Sequence, residues 1–236
     1  MRRAHTVTLG LGALTLTTAA VLWSAPERLV DQLARWHPGC LYRVPTQAPV
    51  VALTIDDGPD PISTPAILAE LRRQDARATF FLITGRVRGQ EQLVRTIRSE
   101  GHELGNHFTS DRASIRLSPS AFEGDLLLAH QVLASYGAVK WARPASGWYS
   151  RAMIGIMRRY HHRCALGSVY PLDATIPSAG FASRYILRHT RPGAVIILHD
   201  GGSRGLRTAK VLSKVLPELR RRGYRVVSLS ELEAAA

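Results

Sequence analysis

The sequence predicts an α/β fold in which a largely parallel sheet or barrel is covered by helices. Two observations lead to this prediction: short apolar runs alternate with helical patterns from Val50 onward, and polar side chains follow several of the predicted strands. Because parallel strands present their carboxyl ends at one edge, those side chains should gather there. A chain of 236 residues is long enough for one such domain with a full core.

The first elements of the domain follow one another closely. The run VVALTI from Val50 predicts a strand, and STPAILAELRRQ predicts a helix with Thr64 as its N-cap and Pro65 at its first position. The run ATFFLIT (78–84) predicts a second strand, and QEQLVRTIRSEG (90–101) predicts a second helix that ends in glycine.

The same alternation continues towards the C-terminus. HELGNH predicts a short strand, Ser118 and Pro119 begin a helix that extends to about Tyr136, and VKWARP predicts a further strand. A helix near 150–160, the strand CALGSVY, a helix near 180–189 and the strand GAVIILHD come next. The segments TAKVLSKVLPELRRRG and YRVVSLSELE close the domain.

The N-terminal part differs from the rest of the chain. Arg2 and Arg3 are followed by an uncharged run of small and apolar residues, which predicts a signal peptide or an uncleaved signal anchor over residues 1–25. Residues 26–48 are interpreted as a linker, which leaves residues 49–236 for the domain. We therefore expect an exported protein, either secreted or anchored to the membrane.

Charge and cysteine content bear on partners and compartment. The formal net charge of +13 predicts attraction to polyanions such as anionic lipid or an acidic wall polymer. The arginines are scattered and no nucleic-acid-binding motif accompanies them, which argues against nucleic acid as a partner.

The two cysteines, Cys40 and Cys164, fit no metal spacing. They could pair in an exported domain, but the sequence favours two buried free thiols. The oligomeric state does not follow from these features.

Polar residues suited to catalysis stand at the ends of predicted strands. They are Asp56, Asp57, His107, Arg143, Asp173, His199 and Asp200. Each has an ordinary explanation taken alone, since Asp-Gly-Pro is a turn sequence and a histidine can simply be packed. Together, one carboxylate, one imidazole and a second carboxylate four residues later can hold a divalent metal ion and leave positions open for water. His102, His161 and His162 are expected at the solvated surface.

Five short segments resemble the motifs of the polysaccharide deacetylase family, also called the NodB-homology domain or carbohydrate esterase family 4. LTIDDGPDP resembles the first motif, GNHFTSD the second, ARPASG the third, YPLDAT the fourth and VIILHD the fifth, in family order over residues 50–200. The resemblance implies a distorted (β/α) barrel of the NodB-homology type and metal-dependent removal of acetyl groups from N-acetylated sugars.

The resemblance also implies a metal site. Asp57 and His107 would be ligands, and Asp111 would be the third ligand, at a position where the family usually has histidine. Zinc is the ion that the family implies first. The Asp-His-Asp set adds Mn, Co, Ni or Fe as alternatives because it is harder and more anionic.

The resemblance also implies two pairs of residues that transfer protons during the reaction. Asp56 would be the general base, and Arg143 resembles the residue that keeps this base ionised. His199 would protonate the leaving sugar amine, and Asp173 resembles the acid that orients this histidine and raises its pKa. The products would be acetate and a free sugar amine.

The third and fourth motifs depart from the family pattern and bear on the substrate. Ser146 replaces the usual aromatic residue, and Thr175 stands where a tryptophan often follows the fourth-motif acid. By analogy the backbone N–H of Ser146 would hold the oxyanion, and Ile197 would form an apolar wall for the acetyl methyl group. Trp148 and Tyr149 would stack on a sugar face, or else pack against the barrel rim.

These features lead to one principal hypothesis and two alternatives. The principal hypothesis is an exported, metal-dependent deacetylase of peptidoglycan, chitin-like oligomers or an exopolysaccharide. The first alternative is a catalytically silent carbohydrate-binding domain, which is expected if Asp111 points away from Asp57 and His107. The second is a metallohydrolase that acts on another amide or on an O-acetyl ester.

Overall fold

A computed structural model describes residues 32, 34–36 and 39–235, which form a parallel sheet with flanking helices. The α/β prediction is thereby confirmed. The strands are β1 Cys40–Leu41, β2 Val50–Gly58, β3 Thr79–Leu82, β4 Glu103–Asn106, β5 Trp141–Ala142, β6 Arg163–Ala165, β7 Val195–His199 and β8 Arg225–Val227. The helices are α1 Ser63–Arg73, α2 Glu91–Ser99, α3 Pro119–Ala134, α4 Arg151–Arg159, α5 Ala179–His189, α6 Gly202–Arg221 and α7 Leu229–Ala234.

The sheet curls into an irregular barrel. The strand order is β1-β6-β5-β4-β3-β2-β7, and β8 pairs with the beginning of β2. Beyond the end of β6, Val169 forms a parallel bridge to Ile196 of β7, and Arg43 forms an antiparallel bridge to Ala194. These bridges bring the two ends of the sheet towards each other. The architecture agrees with the barrel that the family resemblance implies.

Strand β2 is the centre of the fold. All nine of its residues are buried, and it pairs with β3, β7 and β8. An apolar run explains this position, because a central strand of a covered parallel sheet has no solvent-facing side. The register places Asp56 beside Phe81 of β3 and His199 of β7, so that the last residues of β2 lie among the ends of its neighbours.

The N-terminus of α1 differs from the sequence prediction. Thr64 is not the N-cap, because the helix begins at Ser63, two residues before the predicted first position, and its N-cap is Ile62. Ile62 makes no capping bond with its side chain; instead, Oδ1 of Asp60 accepts hydrogen bonds from the backbone N–H of Ile62 (3.0 Å) and of Ser63 (2.8 Å). The predicted start of α3 is confirmed, since Pro119 is its first residue and the Ser118 hydroxyl accepts a hydrogen bond from the N–H of Ala121 at 3.2 Å.

The segment before the domain is only partly a linker. Residues 40–41 lie within the predicted linker but form β1, which pairs in parallel with β6. Residues 1–31, which include the expected export segment, lie outside the described residues, so signal peptide and anchor both stay predictions. Within the described part of the chain, no helix is long and apolar enough to cross a membrane.

Candidate active site

The polar residues at the strand ends surround one cleft. It has a volume of about 580 Å³ and is lined by Asp56 and Asp57 from β2, His107 after β4, Arg143 after β5 and His199 from β7. Asp173, in the segment after β6, is buried behind His199. The cleft therefore lies at the carboxyl edge of the barrel, as expected for a parallel α/β fold.

Asp56 and Arg143 form a buried ion pair. Arg143 Nη1 lies 2.5 Å from Asp56 Oδ1, and the two side chains are 2% and 5% exposed. Arg143 also donates to the carbonyl oxygens of Ala165 (2.8 Å) and Leu166 (3.0 Å) and stacks over the Phe81 ring at 4.1 Å. These contacts fix the guanidinium in place, so Asp56 has a compensated charge and one carboxylate oxygen beside the cleft.

Asp173 and His199 form the second pair. Asp173 Oδ1 accepts a hydrogen bond from His199 Nδ1 at 3.0 Å, and Oδ2 accepts one from the His199 backbone N–H at 2.9 Å. Burial lowers the pKa of His199, but the hydrogen bond and charge of Asp173 and the charges of Asp56 and Asp57 outweigh it, so the pKa is raised. With Nδ1 engaged, Nε2 is the nitrogen available to the cleft.

Asp57 and His107 form a third group. His107 Nδ1 donates to the Arg143 carbonyl oxygen at 2.6 Å, which leaves Nε2 to face Asp57 Oδ1 at 3.4 Å. Asp57 has a φ of +71°, a left-handed conformation that is strained in a residue other than glycine. A carboxylate oxygen and an imidazole nitrogen held this way are suited to share a cation.

Two arginines that the sequence did not indicate also contact Asp57. Arg204 of α6 lies 3.2 Å from Asp57 Oδ2 through its Nη1 and is 29% exposed, and Arg86 donates to the Asp57 backbone carbonyl. Burial raises the pKa of Asp57, but the hydrogen bond from His107 and the charges of His107, His199 and Arg204 reverse this and lower it to about 2. Asp57 is therefore a carboxylate at neutral pH.

The predicted third ligand, Asp111, does not join Asp57 and His107 in a ligand group. Among the described residues, no set of three His, Cys, Asp or Glu side chains could hold a metal ion. Asp111 lines the same cleft but is exposed. Between His107 and Asp111, Phe108 has a φ of +66°, and Asp125 of α3 accepts hydrogen bonds from the N–H and hydroxyl of Thr109 at 3.1 and 2.5 Å. Two of the three predicted metal ligands, Asp57 and His107, are therefore placed to bind one divalent ion.

The predicted substrate-contacting residues all line the cleft. Trp148 is 71% exposed, Ser146 lies beside it with a φ of +66°, and Ile197 is buried in the wall. Tyr149 is partly buried and packs against the core beside the cleft, and its hydroxyl lies 2.8 Å from the hydroxyl of Tyr42. Tyr42, like Tyr170, belongs to the wall without having been predicted.

Asp200 stands at a strand end but supports the site from behind. It is fully buried, its Oδ1 accepts from the Ser63 hydroxyl at 2.5 Å, and its Oδ2 accepts from the Thr64 hydroxyl. Burial, together with the Asp60 charge, raises the pKa of Asp200 above its ordinary value. The Asp200 N–H donates to the Asp56 carbonyl oxygen at 2.7 Å, which ties the end of β7 to the end of β2.

Comparison with known proteins identifies the family. Residues 43–165 match the polysaccharide deacetylase family model. The chain belongs to the polysaccharide deacetylase family. Two relatives of this family are a peptidoglycan-N-acetylglucosamine deacetylase of Bacillus cereus, 34% identical over 81% of this chain and 91% of the relative, and a chitooligosaccharide deacetylase of Bradyrhizobium sp., 30% identical over 77% and 90%.

Solved structures of the polysaccharide deacetylase family share the fold. A peptidoglycan N-acetylglucosamine deacetylase superposes with a TM-score of 0.79 at 27% identity, covering 85% of this chain and 95% of that one. A family pseudoenzyme from Bacillus anthracis superposes with a TM-score of 0.76 at 25% identity, covering 84% and 69%. An acetyl xylan esterase from Clostridium thermocellum, in complex with cobalt, superposes with a TM-score of 0.72 at 28% identity, covering 79% and 91%.

Proposed function

We propose that the chain is a hydrolase that removes acetyl groups from N-acetylated sugars of a cell-wall or extracellular polysaccharide. One observation supports this function above the others: a carboxylate paired with a cation and an imidazole paired with a carboxylate face the same cleft. Amide hydrolysis needs both a base for the attacking water and an acid for the leaving amine. The names of the two curated relatives agree with this chemistry.

Asp56 is the base of the proposed reaction. Its carboxylate forms an ion pair with Arg143 at 2.5 Å, and it lines the cleft in which water and substrate would meet. Asp56 takes a proton from the attacking water as the new C–O bond forms at the acetyl carbon. The backbone N–H of Ser146, at the cleft rim, would stabilise the oxyanion.

His199 is the acid. Asp173 holds it through Nδ1 and raises its pKa, so the protonated imidazole presents Nε2–H to the cleft. The C–N bond breaks as Nε2 gives its proton to the amine nitrogen. Acetate and the free sugar amine leave, and the water proton held on Asp56 returns through solvent to restore His199.

We propose that Asp57 and His107 would hold a divalent metal ion. When bound, such an ion polarises the acetyl carbonyl and acidifies water. Zinc is the first candidate, with Mn, Co, Ni or Fe as alternatives, and one structural neighbour is a complex with cobalt. Asp111 lines the same cleft and is the acid that was expected to complete the set.

The proposed substrate is a glycan chain such as peptidoglycan, a chitin-like oligomer or an exopolysaccharide. The exposed Trp148 ring offers a sugar-stacking surface at the rim, and the buried Ile197 offers an apolar contact for a methyl group. We further propose that the protein is exported, secreted or anchored by residues 1–25, where its net charge of +13 suits an anionic wall or membrane surface.

A specific observation also favours a catalytically silent carbohydrate-binding domain. The described residues lack a three-ligand group, and one structural neighbour is a family pseudoenzyme. The intact Asp56–Arg143 and Asp173–His199 pairs favour the enzyme over this alternative, since a binding module has no need of either.

Acetate release distinguishes these functions. The full chain would be incubated with peptidoglycan, N-acetylglucosamine oligomers and an O-acetylated xylan, after chelation and after adding back single divalent ions. Release from the N-acetyl substrates that stops with chelator and returns with one ion supports the proposal. Release only from the xylan indicates an esterase. No acetate with any ion, together with retained glycan binding, indicates the silent domain.

A further inference from the structure

We propose that Cys40 and Cys164 form an intramolecular disulfide that fastens β1 to β6. The two residues are direct register partners on adjacent parallel strands, and their sulfur atoms lie 2.9 Å apart. Neighbouring strands are spaced about 4.7–4.9 Å, within the Cα separation of about 4.4–6.8 Å that a disulfide spans. As register partners the two side chains lie on the same face of the sheet, and their sulfur atoms are already in contact.

The surroundings of the pair allow oxidation without unfolding. Cys164 is 2% exposed, whereas Cys40 is only partly buried and gives an oxidant access to the pair. A disulfide-type oxidant, such as oxidised glutathione, supplies the chemistry: the Cys40 thiolate attacks it and forms a mixed disulfide, and the Cys164 thiolate then displaces a reduced thiol. The chain loses two protons and two electrons, and the oxidant gains them. No other cysteine exists in the chain to compete.

The link would act on the wall of the cleft. Strand β1 has only two residues, stands at the end of the strand order and has β6 as its neighbour there. Tyr42 follows β1 directly, and its hydroxyl lies 2.8 Å from that of Tyr149 in the cleft wall. A bond between Cys40 and Cys164 thus fixes the short strand that positions Tyr42.

The link would also constrain the unfolded chain, because it closes a loop that runs from residue 40 to residue 164. Disulfides that close long loops reduce the freedom of the unfolded state most. The inference depends on the proposed export to an oxidising compartment, and it is independent of the proposed deacetylase activity.

Thiol counting on the full chain tests the proposal. Protein purified in the reduced state is held, folded, in a buffer of reduced and oxidised glutathione, then denatured and alkylated. We expect both thiols to be lost in the monomer, a peptide that joins Cys40 to Cys164, and a melting temperature about 5–15 °C higher that returns to the reduced value with dithiothreitol.

The Cys40→Ser variant is the matched control. Because Cys40 is partly exposed, this variant is expected to fold, and its melting temperature should not respond to dithiothreitol, whereas Cys164→Ser alters a buried site. Two alkylatable thiols after oxidation, or disulfide-linked dimers alone, would overturn the proposal. Since none of these readouts needs turnover, an inactive protein with an intact disulfide would refute the proposed function and leave the link established.

Discussion

Asp173→Asn is the substitution that most specifically perturbs the proposed acid. The side chain keeps its shape, and its amide oxygen can still accept the His199 backbone N–H that Asp173 Oδ2 accepts at 2.9 Å. The amide nitrogen then faces His199 Nδ1, where the carboxylate oxygen now lies at 3.0 Å. The imidazole loses its anionic partner, and its charged form loses the hydrogen bond that stabilises it.

The size of the effect follows from that one contact. A hydrogen bond to a charged group contributes about 1.5–3 kcal/mol, and one pKa unit corresponds to about 1.4 kcal/mol. The pKa of His199, which Asp173 raises, should therefore fall in the variant by the amount that this energy sets. A general acid must be protonated to act, so the alkaline limb of the rate profile should move to lower pH by the same amount.

The assay is the pH dependence of kcat/KM for acetate release, measured for the wild type, Asp173→Asn and a control. Asp75→Asn is the control, because the Asp75 side chain is 89% exposed and the same charge is removed away from the cleft. If the Asp173→Asn enzyme is slower but the alkaline limb of its pH–rate profile stays at the wild-type position, the role given to the Asp173–His199 pair is refuted.

Two further substitutions test the other cationic contacts of the cleft. Arg143→Met should lower the free energy of unfolding, measured in urea, by about 3–5 kcal/mol, because it leaves the buried Asp56 charge uncompensated. Adding Asp56→Asn should restore much of this stability without restoring activity. An Arg143→Met variant as stable as the wild type would contradict the buried pair. Arg204→Gln should raise the affinity of the protein for Zn²⁺ about fivefold, as measured by calorimetry. The reason is that an ion pair of a partly exposed arginine, worth about 1 kcal/mol, no longer competes with the metal ion for Asp57. Lys210→Gln, on the same helix, is the control and should leave the affinity unchanged. A lower affinity in Arg204→Gln would show that Arg204 supports the ligand instead.

Those parts of the site that lie at strand ends could be predicted from sequence. Asp56, Arg143 and His199 each follow an apolar run, and parallel strands bring their carboxyl ends together whatever the length of the intervening segments. The family resemblance then supplied their roles. Asp111 was assigned from the second-motif resemblance, which does not contain the left-handed backbone of Phe108 or the exposure of the Asp111 side chain.

Other residues could not be predicted because their environment depends on distant packing. Arg204 reaches Asp57 from a helix that begins after the last motif, and no local pattern distinguishes it from the other arginines. His102 and His162 were expected at the surface but are each 1% exposed, and burial lowers the pKa of both to about 4. Only His161 is exposed as expected.

The role proposed for Asp56 is that of the base in an N-deacetylation in this cleft. It is tested most directly by measuring acetate and new primary amine together, on N-acetylglucosamine oligomers, for the wild type and for Asp56→Asn. We expect equal amounts of the two products from the wild type and neither from the variant, with both proteins folded. Products at the wild-type rate from Asp56→Asn, or acetate without amine, would contradict it.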